Sequence, residues 1–453
     1  MDDRPQPGDP DPEEPDGDGG PFPGFPDFPG LPGLDFSGID LSGIDLSEVT
    51  RMLQSQGPLN LEVARQVATA MATGGTAEPT IGADDQHQVE ELARAAQTHV
   101  VTETGLSTAF SAPVRAIARQ DWATLHLDAL RGVLEVLATT LGSALSPEAL
   151  RELLPEEGDA DAGDPFSAIL PVLAPLLLGV QAGSMIGHLS THALGRYDLP
   201  LPTSDPPGLV FVIPNLDQFE KDWTLDRTDL RFYVAIHEAV HAGVRGVPWV
   251  SQRLVDLATD YVSAYDVDAD ALETRLDGRF ENLDPRDPES IRALAAQPEE
   301  LLGALRSERQ HALLARARVF HGVLGGFADE IVTRVGRPLI TSFDRVHEAM
   351  ARHRIERGEA EQFIGGLLGL ATDREDYERG GAFCRGVVER AGAEGLNRLW
   401  DDATREPTLN ELEAPGLWLA RIDLDPDDEN PNPNPNPNPN PNPNPNPNEG
   451  GDT

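Results

Sequence analysis

Five residues in the middle of the chain, His237-Glu238-Ala239-Val240-His241, constrain its architecture more than any other feature. On a helix, two imidazoles four residues apart project from one face a turn apart, so both can reach one tetrahedral metal ion. The surrounding sequence supports a helix. Asp226 to Asp229 offer capping groups and acid for its first turn, and Leu230, Val234, Ile236 and Val240 carry an apolar pattern through the motif. Zinc is the expected cofactor, with His237 and His241 as two ligands. Glu238, beside a zinc-held water of lowered pKa, is the candidate general base.

A catalytic zinc needs a third protein ligand. Val244 and Val247 stand where one HExxH class places Gly and His, which excludes that class. Asp256, Asp260 and Glu273 are the nearest acids in sequence, and a later apolar helix offers His321, Asp329 and Glu330. His188 and His192 repeat the four-residue spacing without an acid and read as structural. His347-Glu348 is a half motif whose fifth position is Ala351. Cys384, the single cysteine, excludes a Cys-rich zinc site and reads as a buried core thiol.

The charge of −42 over 453 residues narrows the partners. Residues 1–46 carry twelve acids against Arg4, and residues 423–453 carry seven with no basic residue, so the body between them also remains acidic. Such a field repels phosphate backbones and anionic lipid, so neither nucleic acid nor membrane is an expected partner. The start Met1-Asp2-Asp3 lacks a basic, apolar leader, and the longest apolar run, Phe166 to Val180, is broken by Pro171 and Pro175. A cytoplasmic location is therefore expected. No signal bears on oligomeric state.

Composition divides the chain into an acidic Pro/Gly-rich tail (1–46), a helical layer (47–157), a main domain (158–422) and an Asn-Pro repeat tail (423–453), with both tails expected to be disordered. One strand is clear, Leu209 to Ile213 between Pro206-Pro207-Gly208 and Pro214-Asn215. It is expected to offer an edge along which an extended peptide could pair. Arg196-Tyr197-Asp198 reads as a structural turn, and Trp249 as an anchor for the loop after the motif helix.

Several separated stretches, in order, resemble the actinobacterial zinc-dependent metalloprotease family, the zincin-like metallopeptidases of type 2. They are Gln181-Ala182-Gly183, Arg196 to Pro202, Val212 to Asn215, the motif with Pro248-Trp249, Tyr377 to Cys384, Gly395 to Trp400 and Pro407 to Leu412. The resemblance runs from about 47 to 422. It implies a mainly α fold with a small β element (α+β), a zincin-like core built around the HExxH helix, and a peptide or protein substrate. Some relatives are grouped with deazaflavin-cofactor biosynthesis. The family carries Glu-Gly-x-x-Asp on its later helix, where this chain reads Gly325-Gly326-Phe327-Ala328-Asp329. Asp329 is therefore the third ligand the resemblance implies, with His321 the alternative. A peptidase is the first expectation. A degenerate zincin acting as a binding module, or a non-peptidase hydrolase tied to cofactor biosynthesis, are the others.

Overall fold

The computed structural model describes residues 57–78, 80–107, 112–144, 165–203, 208–265, 307–355 and 359–424. The expected N-terminal tail, the C-terminal tail beyond residue 424, Glu273 and the junction at 157 lie outside them. The described chain is mostly helical. Its first half runs through α1 (Leu61–Thr73), α2 (Ala83–Thr104), β1 (Val114–Ile117), α3 (Arg119–Ala144), α4 (Pro165–Ser190) and β2 (Leu209–Val212). Then follow α5 (Ile213–Asp222), α6 (Arg227–Arg245), α7 (Pro248–Ser263), α8 (Glu308–Gly336), α9 (Phe343–Ile355), α10 (Glu359–Leu368), α11 (Arg374–Asn397), α12 (Leu409–Glu413) and α13 (Pro415–Asp423). The apolar run from Phe166 is part of α4. No helix among the described residues is long and apolar enough to cross a membrane.

The two strands pair in parallel, Val114 opposite Leu209 through Ile117 opposite Val212. Strand β2 divides the interior. Its side chains alternate, so Leu209 and Phe211 enter a core shared by α2, α6, α8 and α11, while Val210 and Val212 enter a second core shared by α1, α3, α4, α7 and α10. The edge of β2 away from β1 is not available to a peptide, contrary to the sequence expectation. Val212 N–H donates to Leu194 O at 3.0 Å, Gly195 bridges to Phe211, and Val210 N–H donates to Glu238.

Helix α6 runs through the centre of the first core. Asp226 caps it, its carboxylate accepting from Thr228 N and Asp229 N, and all residues from Tyr233 to Arg245 are buried. Near its start Arg231, fully buried, is bracketed by Asp85, Asp217 and Glu220 at 2.7–3.1 Å, so its charge is compensated by acids from α2 and α5. Helix α8 packs on α6 and, more extensively, on α11. Glycines permit the second approach: a Cβ on Gly380 would collide with the carbonyl of Gly322, and one on Gly326 would meet the backbone of Gly380. His321, beside Gly322, is thereby fixed over the face of α6 that carries the motif.

Candidate metal centre

His237 and His241 lie side by side on α6, their ring centroids 4.5 Å apart and tilted by 54°. They are 7% and 6% exposed, and burial keeps both uncharged. His237 is pushed down to about 4, with Arg354 adding to the effect of burial. His241 is pushed well below the ordinary histidine value by burial and then by His237 and Arg245. Neutral imidazole is the form that ligates metal. The Nδ1 of His241 has no hydrogen-bond partner among the described residues. Both rings line a narrow cleft of about 30 Å³, into which His321 from α8 also projects, together with Tyr197, Asp198 and Arg245.

This donor chemistry fits zinc, which takes imidazole readily. The fit is incomplete in one respect. Among the described residues, no three His, Cys, Asp or Glu side chains are gathered as a ready donor set. The pair on α6 is preset, and a third donor has to close on it.

Glu238 is placed differently from its neighbours in the motif. Its side chain is fully buried and absent from the cleft lining. Its Oε1 accepts from Tyr197 N at 2.9 Å, and its Oε2 accepts from Arg196 N at 3.0 Å and Val210 N at 3.2 Å. Three backbone amides favour the ionised carboxylate, yet burial outweighs them and pushes Glu238 up to about 7. The segment it grips approaches so closely that a Cβ on Gly195 would strike the carboxylate. Glycine is required there on steric grounds alone.

The 194–201 segment is held from the other side as well. Trp122 Nε1 donates to Gly195 O at 2.8 Å. His126, stacked on Trp122 with centroids 3.7 Å apart, sets its Nε2 3.2 Å from Arg196 O. Asp198 accepts from Leu194 N at 3.0 Å and meets His353 Nε2 at 2.8 Å. The turn expected at Arg196-Tyr197-Asp198 thus forms one wall of the cleft, with Tyr197 stacked on His241 at 5.8 Å.

Asp329 is not among the residues that line the histidine cleft, although its charge reaches His237. Its carboxylate lies 2.7 Å from Arg354 Nη1, and it lines a separate cavity of about 360 Å³ with Glu330 and His347. Of the two residues weighed as third ligand, the structure brings His321 into the cleft and leaves Asp329 on Arg354. Asp256 and Asp260 are exposed on α7. His188 and His192 sit at and just beyond the end of α4. His347 Nδ1 lies 2.9 Å from the Tyr233 hydroxyl. Cys384 is buried, and burial raises its thiol.

With this geometry in view, the relationship to known proteins is direct. The family model of the zincin-like metallopeptidases matches residues 59–419. The chain belongs to this zincin-like metallopeptidase family. No curated protein matches it. Among solved structures it is similar to a protein from Chloroflexus aurantiacus described as a candidate hydrolase with a novel fold, at 21% identity and a TM-score of 0.53, over 81% of this chain and 99% of that one. At that identity the likeness establishes the shared fold. The zincin-like family assigns the chain to hydrolases.

Within that frame the departure at Gly325 has a structural counterpart. A Cβ there would lie 2.9 Å from Cδ1 and Cε1 of Tyr377, so the ring of Tyr377 occupies the space a larger residue at 325 would need. Tyr377 and Arg354 line both the histidine cleft and the 360 Å³ cavity, so the two adjoin at these side chains. Sequence reading passed over Arg245 and Arg354. Arg245 carried a usable signal, since it continues the His237, His241 spacing by one more step of four. Arg354, on α9, carried none.

Proposed function

We propose that this zincin-like protein is a zinc-dependent hydrolase acting on peptide bonds, with His237 and His241 holding the ion and His321 the side chain best placed to complete the set. The observation that carries this reading is the pair of buried, uncharged imidazoles set side by side on one face of α6 and opening on a shared cleft. A zinc ion bound there supplies Lewis acidity, polarising a carbonyl and acidifying water.

The remaining roles belong to the chain's own residues. Glu238 is the proton acceptor. An ionised carboxylate offers about four lone-pair directions, so its three amide donors leave one for a proton, and its affinity near 7 suits transfer near neutral pH. The cleft is narrow and its histidines are nearly buried, and the adjoining 360 Å³ cavity at Arg354 and Tyr377 offers room for the body of a substrate. Hydrolysis of a fluorogenic peptide library, measured with and without a chelator, tests the reading. Chelator-sensitive cleavage that disappears in Glu238→Gln supports it, and cleavage indifferent to both would contradict it.

A second reading is favoured by the incomplete donor set and by the engagement of Glu238 with backbone amides: a zincin that retains the fold as a binding module. It predicts no cleavage by the zinc-loaded protein and unchanged partner affinity in a folded Glu238→Gln variant.

A further inference from the structure

Arg245 continues the motif helix by one more step of four residues, so His237, His241 and Arg245 share one face, each about 6 Å further along the axis. Side chains on a helix lean toward its N-terminus, which draws the guanidinium back toward His241. All three line the same cleft. Arg245 is 3% exposed. Its Nη1 donates to Leu201 O at 2.6 Å, and its Cζ lies 4.9 Å from the Tyr197 ring centroid. Its Nε and Nη2 have no hydrogen-bond partner among the described residues.

A buried guanidinium with two of its three nitrogens idle is costly unless an anion completes it. Among the described residues, the acids around the cleft are engaged by other groups. Glu238 is committed to three backbone amides, Asp198 to His353 and Leu194, and Asp329 to Arg354. The contrast with Arg231 on the same helix, bracketed by three carboxylates, is plain. The two idle atoms matter as a pair. Nε and Nη2 form the side of the guanidinium that can take both oxygens of one carboxylate in parallel.

We propose that Arg245 is a carboxylate-recognition residue of the cleft, so that the substrate carries a carboxylate within a residue or two of the bond brought to His237 and His241. The separation supports that register, because one turn of helix matches the reach of one to two extended residues at about 3.3–3.6 Å each. A free peptide C-terminus is the substrate chemistry that meets this requirement. The proposal rests on the hydrolase reading for its choice of substrate, and its test is independent of metal.

Full-length, zinc-free protein is titrated calorimetrically with N-acetyl dipeptides as free acids and as C-terminal amides, with inorganic phosphate as a separate arm. The free acids bind about tenfold or more tightly than the amides. That preference is lost in Arg245→Gln and reduced in Arg245→Lys, which keeps the charge without the fork, both variants being checked for native circular dichroism. Equal binding of acid and amide by wild type, or no binding of either, overturns the proposal, as does a folded Arg245→Gln that keeps the preference. Phosphate binding that depends on Arg245 while the acids fail shows an oxyanion site of another class and overturns the carboxylate assignment. If neither variant folds, the acid-to-amide ratio in wild type alone decides. Failure of the hydrolase reading appears separately, as a protein that retains no zinc.

Discussion

Glu238 carries two demands in one side chain, and they can be separated by substitution. In Glu238→Gln the amide nitrogen has to face at least one of the backbone donors at 196, 197 or 210. The variant is therefore expected to lose about 1–3 kcal/mol in denaturant unfolding, in addition to about 10²-fold or more in hydrolysis. Unchanged stability would mean that the carboxylate is not held as described. Asp198 offers a pH test on the same segment. Burial alone would raise it, but His353 and the Leu194 amide outweigh burial and hold it below the usual carboxylate range. A depressed carboxylate stabilises the fold above its unfolded pKa, and that contribution is lost as pH falls below about 3.9. Unfolding followed from pH 5 downward should show a steeper loss in wild type than in Asp198→Asn, and parallel curves would contradict the assignment.

At the scale of elements, the contact between α8 and α11 decides where His321 sits. Gly380→Ala places a methyl against the Gly322 carbonyl and is expected to cost about 2 kcal/mol or more by chemical unfolding, with a weaker metal site as the second effect. A substitution without cost would show that the helices are further apart. The motif helix was legible in the sequence because Asp226, the apolar spacing and the two histidines all pointed to one element, and the structure agrees from cap to Arg245. Strand β2 was legible for the same reason of local consistency. Its edge was not, because Leu194, Gly195 and Glu238 cover it through contacts set by tertiary packing. The position of Asp329 was equally hidden. Nothing local to α8 reveals that Arg354, on α9, takes its carboxylate.

Across the whole molecule, charge is the dominant feature. The formal charge of −42 disfavours a compact state through self-repulsion, which salt screens over about 10 Å at 0.1 M. The melting temperature should rise between low salt and about 0.15 M sodium chloride, and a fall would show that ion pairs such as those around Arg231 outweigh the repulsion. The central claim concerns the metal. Its most direct test is zinc stoichiometry by elemental analysis after dialysis against a weak chelator, on wild type and on His237→Ala, His321→Ala and Asp329→Ala. The structure predicts about one zinc per chain in wild type, lost in His237→Ala, lost or greatly weakened in His321→Ala and retained in Asp329→Ala. A wild-type protein that retains no zinc, or a His237→Ala variant that still does, would contradict the account.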